Sequence, residues 1–316
     1  MQVFQRENIQ SHCVGAEWPD FLGEVRLGES FVIETERFNL LNVPIAIAGV
    51  KAGDDIAIHI EDIAVLPPFQ ALNGGPFFEG MGDLVELSYE DGYFLFPKSL
   101  RLKANPSVGN IGVLPQPTDT ILKMARTDFG PPENHRGWRR FMNDPRGKHC
   151  HQDCQYLTAG AIIHMKAQVD NAGVCAADVH AYIGQGETAF VGIEVAANVR
   201  LRVERSEGWL VDWPLIETED EIMVICSDSN ILNEQDTEEY VDVVREAYRA
   251  MRDVVAAKVG ASIEDVNTIV ATALDIRNCA IYGLGNFIQK EGKTTQPDRD
   301  ISIAACLPKD IFTKVS

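Results

Sequence analysis

Apolar and polar residues alternate along DDIAIHIEDI, residues 54–63, which places Ile56, Ile58 and Ile60 on one face of an extended strand and His59 on the other. His59 reads as surface or satisfied structure. A period of two cannot form the apolar stripe of a helix, and the same pattern recurs through the first two-thirds of the chain. FVIETERF (31–38), IAIAGV (45–50), DLVELSY (83–89), YFLFP (93–97) and LRLKA (100–104) are short, β-branched or alternating, and punctuated by Gly, Pro, Asn and Asp. GAIIHMKAQV (160–169), CAADVHAYI (175–183), TAFVGIEVAANVRLRVER (188–205) and EIMVICS (221–227) continue it. Two stretches rich in Gly and Pro interrupt the strands, at 67–82 and from Pro115 to Lys148.

Helical periodicity arrives late. Asp236 or Thr237 caps TEEYVDVVREAYRAMRDVVAAKVG, with Gly260 at its stop and Val241, Val244, Tyr248, Met251 and Val255 as the core-facing stripe. SIEDVNTIVATALDIR (262–277) repeats the pattern behind Ser262 and Asp265, and DISIAACLP (300–308) reads as a closing strand. Strands first and helices later imply a β-rich α+β fold of mixed or antiparallel sandwich-like sheets with the helices packed against them, and exclude a doubly wound sheet. The expected division is a β-rich lobe over 1–205 carrying the site and an α+β lobe over 206–316.

With 28 Lys and Arg against 47 Asp and Glu, the net charge of −19 makes nucleic acid or an anionic membrane an unfavourable partner. No 18-residue apolar run and no basic-then-apolar leader stands in the sequence, so a cytoplasmic location is expected. Seven cysteines without a CxxC pair fit reduced thiols.

Two constellations carry chemistry. In ADVHAYIGQGETAFVGIE (177–194), Asp178 and His180 share a strand face, and GQG offers a hairpin turn. A three-residue loop at Gly184–Gly186 would set His180 against Phe190 and Asp178 against Gly192. Glu194 then joins the Asp178–His180 face, and Glu187 lies on the other face at the mouth of the turn. A two-residue loop would exchange the two glutamates. This convergence fits a metal or acid–base site, or a solvated polar hairpin face. Upstream, in GKHCHQDCQYLTAG (147–160), His149, His151 and Asp153 alternate as potential metal ligands, while Cys150 and Cys154 point away. The long stretch 116–148 leading into them is either a lid over a site or a surface excursion. No G-x-S-x-G elbow, Walker loop or H-E-x-x-H is present, so serine, nucleotide and zincin chemistries lack support.

Together these segments resemble the acetamidase/formamidase family. Asp153 with LTAG (157–160) matches one family motif, and Asp178, His180, Ala181, Gly184, Gly186, Glu187 and Glu194 match a second. NVPIAIAGVKAGDDIAIHIEDI (42–63), PSVGNIGVLP (106–115), ALDIRNCAIYG (273–283) and CLPKDIF (306–312) are similar to further family segments. His151 and Gln185 depart from the pattern. The resemblance implies a metal-dependent hydrolase of small linear amides, as a homodimer or larger homo-oligomer. It implies Asp153, Asp178, His180 and His151 as the metal ligands, zinc as the ion with calcium as the alternative, and Glu194 as the base. Glu187 would orient His180 or the substrate, or serve as the base if the turn is shorter. The competing expectation is a non-catalytic, metal-binding relative whose site serves assembly.

Overall fold

The computed structural model describes residues 1–6, 20–37, 44–75, 82–117, 152–189, 191–229, 240–281, 289–290, 293–294 and 300–313. The strands are β1 (Gln2–Phe4), β2 (Gly23–Arg26), β3 (Ser30–Thr35), β4 (Ile45–Ala48), β5 (Asp55–Leu72), β6 (Leu84–Glu90), β7 (Tyr93–Phe96), β8 (Leu100–Lys103) and β9 (Ser107–Val113). There follow β10 (Ile162–Lys166), β11 (Val174–Tyr182), β12 (Ile193–Arg205), β13 (Leu215–Glu217), β14 (Glu221–Ser229), β15 (Asp275–Ala280), β16 (Gln289–Lys290), β17 (Lys293–Thr294) and β18 (Asp300–Pro308). The helices are α1 (Tyr240–Val259) and α2 (Ile263–Ala273). The fold is therefore β-rich α+β, with the helices late in the chain.

Among the described residues, one branched sheet of 16 strands runs β15-β18-β14-β13-β10-β5-β12-β11-β4-β2 along its main path. The pairs β1–β3 and β2–β4 are parallel and the other ladders antiparallel. Its centre is the long β5, whose Ile56, Ile58 and Ile60 lie in the larger apolar core as their alternation requires. His59 faces away from that row and pairs with Glu204 at 3.1 Å.

Three local expectations are corrected. The stretch at 67–82 does not end β5, which runs on to Leu72. Its Pro67 and Pro68 fall where the ladder to β12 slips between Leu66↔Ala196 and Gln70↔Glu194, a position where a missing N–H is tolerated. The buried row of α1 is Val243, Ala247, Met251, Val254 and Val255, whereas Val241 is 47% exposed. Valines at 241, 243 and 244 make the phase ambiguous in sequence. The small Ala247, fully buried, gives the docking row its close approach to β14 and β18. Finally, α2 starts in the capping box of Ser262 and Asp265 as expected but stops at Ala273. The DIR segment that continues its pattern is instead strand β15, with Ile276 opposite Ala305 on β18. Pairing with a sheet edge overrides the local helical period there. The caps at Asp236 or Thr237 lie outside the described residues.

The C-terminal strands also reach the region of the two motifs. Gly186 donates its N–H to the Cys279 carbonyl at 3.1 Å, and Ile281 returns a bond to the Gly186 carbonyl at 3.0 Å. Nearby, the Gln185 amide donates to the Tyr156 hydroxyl at 2.6 Å, and the Arg277 guanidinium lies 5.2 Å from the centroid of the Tyr156 ring. Arg277 is itself held by both carboxylate oxygens of Glu221. Among the described residues, no helix is long and apolar enough to cross a membrane.

Candidate functional site

β11 lies between β9 and β12 and presents His180 at its end. On one side His180 is opposite Ser107 of β9, and on the other it is opposite Glu194 of β12. The hairpin register expected from GQG is therefore overturned. His180 pairs with Glu194, and the turn over Gly184–Glu187, where the Glu187 N–H reaches the Gly184 carbonyl at 3.2 Å, does not by itself close the hairpin; the connection from Tyr182 to Ile193 spans residues 183–192. The reason is non-local. Gly186, at positive φ (93°) inside that local turn, is also bridged to Ala280 of β15, which ties the turn to a strand distant in sequence.

This longer connection folds Glu187 inward. Its carboxylate Oε1 comes within 3.7 Å of His180 Nε2, and Glu194 Oε1 within 3.1 Å of the same nitrogen. The expectation that Glu187 sits on the opposite face is thereby corrected: both glutamates reach the imidazole. Asp153 enters from the other side. Its N–H bonds the Gly109 carbonyl of β9 at 2.9 Å, and the preceding Gln152 locks its side-chain amide onto Ile111, donating to the carbonyl at 2.8 Å.

Two groups with ligand atoms within 4.8 Å of one another result, Asp153–His180–Glu187 and Asp178–His180–Glu194. All five residues are buried, none more than 6% exposed. His151, together with His149, Cys150 and the stretch 118–151, lies outside the described residues. Asp153, Asp178 and Glu187 all adopt positive φ (39°, 60° and 42°), a conformation that is costly for residues other than glycine. Strain of this kind gathered on three converging acids is a recognised mark of a functional site.

The electrostatics are unusual. Burial would lower the pKa of His180, but the carboxylates of Glu194, Asp178 and Asp153 outweigh it and raise it to about 9. Burial, then the charges of Asp153 and Asp178, drives Glu187 well above the ordinary carboxylate range. Glu194 is also raised by burial, opposed by its attraction to His180. The His180–Glu194 contact is close enough for an ion pair yet is not aligned as a hydrogen bond. Both ring nitrogens and Glu194 Oε2 lack a hydrogen-bond partner among the described residues.

Two glycines make room for this crowding. A methyl group on Gly109 would fall 2.6 Å from Asp153 Oδ1, the Asp178 carbonyl oxygen and His180 Cε1. One on Gly192 would fall 2.7 Å from His180 Cδ2. Gly109 and Gln152 were not singled out from sequence. The segment PSVGNIGVLP offered a signal only through its likeness to the family, since nothing in its spacing marks a residue without a side chain as a wall of a site.

Residues 101–255 match the sequence model of the Acetamidase/Formamidase family. No curated protein matches the chain in sequence. In fold it is similar to a predicted acetamidase/formamidase from Thermoanaerobacter tengcongensis, with a TM-score of 0.67 at 21% identity over 93% of this chain and 91% of the other. It is similar to an acetamidase from Bacillus halodurans (TM-score 0.66, 19% identity, 94% and 93% covered). An acetamidase from Yersinia enterocolitica is comparably similar (TM-score 0.69, 17% identity, 94% and 88% covered). The matched segment contains Asp153, Asp178, His180, Glu187 and Glu194, and over that segment the chain matches the acetamidase/formamidase family.

Proposed function

We propose that the protein is a metal-dependent amidohydrolase that converts a small linear amide, formamide- or acetamide-like, and water into a carboxylate and ammonia. The observation that carries this reading is the sealed cluster of four carboxylates around one imidazole, inside the segment that matches the family. Burying so many acids is costly unless a cation compensates them or protons neutralise them. The donor set fits a divalent ion. The ring nitrogens of His180 lack hydrogen-bond partners among the described residues, the neighbouring carboxylates supply oxygen donors, and Gly109 leaves a cradle that a methyl group would fill. Asp153, Asp178 and His180 would hold it, with His151 as a further ligand. Zn²⁺ is the ion of choice and Ca²⁺ the alternative. Such an ion supplies Lewis acidity, polarising a carbonyl and bringing the pKa of a water molecule down to about 7.

The chain's own groups supply the proton transfers. Glu194, next to His180 and fixed by the Gly192 N–H at 3.0 Å, takes the proton of the attacking water. Glu187, whose burial among like charges favours its protonated form, delivers a proton to the departing nitrogen. The water oxygen adds to the carbonyl carbon, and the carbon–nitrogen bond then breaks as the carbonyl re-forms and ammonia leaves. The proton held by Glu194 passes back to Glu187 while the acid product ionises to the carboxylate. Exclusion of water by the buried walls strengthens each of these interactions.

Ammonia release from formamide, acetamide and propionamide, with and without added divalent metal, tests this reading. Turnover of at least one amide that increases on metal addition to stripped protein is expected. No ammonia from any of them at full metal loading would overturn it.

A further inference from the structure

Ser107 stands on β9 directly opposite His180 in the β9–β11 ladder. Residues paired in this way project from the same face, with Cβ atoms about 4.5–5.5 Å apart. Gly109, two residues further and therefore on that same face, fixes what the face looks at, because a methyl there would touch Asp153 and His180. The wall that β9 presents to the cluster thus carries one polar side chain beside the bare glycine, that of Ser107. It is completely buried, and its hydroxyl has no hydrogen-bond partner among the described residues. A buried hydroxyl in that condition destabilises a folded protein, and each such group calls for an explanation.

We propose that Ser107 is a substrate-binding residue whose hydroxyl donates to the carbonyl oxygen of the small amide; this rests on the amide-hydrolase reading above. The chemistry of the neighbours decides the direction of that bond. The ionised carboxylates of the cluster supply acceptors for the amide N–H groups, and protonated Glu187 is assigned to the nitrogen, so the Ser107 hydroxyl is the donor that the β9 wall offers to the carbonyl oxygen. The hydroxyl also fixes the orientation in which the carbonyl carbon faces the attacking water.

The test compares wild type, Ser107→Ala and Ser107→Thr at full metal loading, reading kcat and KM on formamide and acetamide, melting temperature, and acetamide binding by saturation-transfer NMR. Ser107→Ala is expected to weaken acetamide binding and to lower kcat/KM about 3- to 10-fold, as loss of one hydrogen bond does. Its melting temperature should equal or exceed that of wild type, because an unpartnered hydroxyl has been removed. Ser107→Thr keeps the hydroxyl and adds a methyl, so it should retain formamide turnover better than acetamide turnover. Equal acetamide binding by wild type and Ser107→Ala would overturn the proposal, whatever the turnover. A drop in melting temperature with KM unchanged would overturn it too, by making the hydroxyl a prop of the fold. Wild type that binds acetamide through Ser107 but releases no ammonia would sink the amidase reading alone.

Discussion

Replacing Glu194 by Gln is expected to lower amide turnover about 10²- to 10⁴-fold, the usual worth of general acid–base help, while the bound ion stays in place. Glu194 faces His180 across the β11–β12 ladder, 3.1 Å from its Nε2. Glutamine preserves the shape of the side chain and the bond from the Gly192 N–H, and removes only the ability to accept a proton from water. Glu187→Gln is the comparison. Burial among like charges favours a protonated Glu187, so its amide analogue resembles the resting state and should slow nitrogen departure more than water attack. If Glu187→Gln loses more activity than Glu194→Gln at full metal loading, Glu187 is the base. If Glu194→Gln loses its ion and excess metal recovers the rate, Glu194 is a ligand instead.

Gly109→Ala is expected to abolish most activity by a route that involves no proton transfer. The added methyl would meet Asp153 Oδ1, His180 Cε1 and the backbone oxygen of Asp178, each at 2.6 Å. Side chains can swing away, but the Asp178 carbonyl belongs to a strand held between neighbours, so the acid–imidazole geometry must shift. Overpacking of this kind costs about 1–3 kcal/mol, and a displacement of about 1 Å at reacting groups is worth about 10²-fold in rate. Gly184→Ala is the control: it lies in the motif that carries Asp178 and His180, but its methyl would meet nothing within 4 Å. Steady-state assays with melting curves on both variants check the contrast. Gly109→Ala retaining more than about a tenth of wild-type turnover would contradict the crowding described above.

The fold class was legible in sequence because β-rich segments advertise themselves by alternation. DISIAACLP is strand β18 from end to end, and the isoleucines of β5 face the core as their spacing requires. The acids and the histidine of the two motifs were legible as a group, and the structure brings Asp153, Asp178, His180, Glu187 and Glu194 together. The register connecting them was not. A turn forms at GQG, but the register across it also depends on Gly186 being held by Cys279 of β15 and by Ile281 just after that strand, nearly a hundred positions away in the chain. A second non-local pairing, with β18, turned the DIR of 275–277 from the tail of a helix into a strand. Gly109 and Gln152 stayed invisible for a related reason: one acts through an absent side chain, the other by bonding to the backbone of a strand distant in sequence.

Metal content measured against activity tests the central claim most directly. Elemental analysis of purified protein is expected to find about one divalent ion per chain. Chelation should remove both the ion and ammonia release, and reloading should restore the two in proportion. Since His180 in the metal-free cluster holds a proton up to about pH 9, that proton competes with the ion, so reloading should be weaker at pH 6 than at pH 8. Protein that contains no divalent ion and hydrolyses amides undiminished in the presence of chelator would contradict the account.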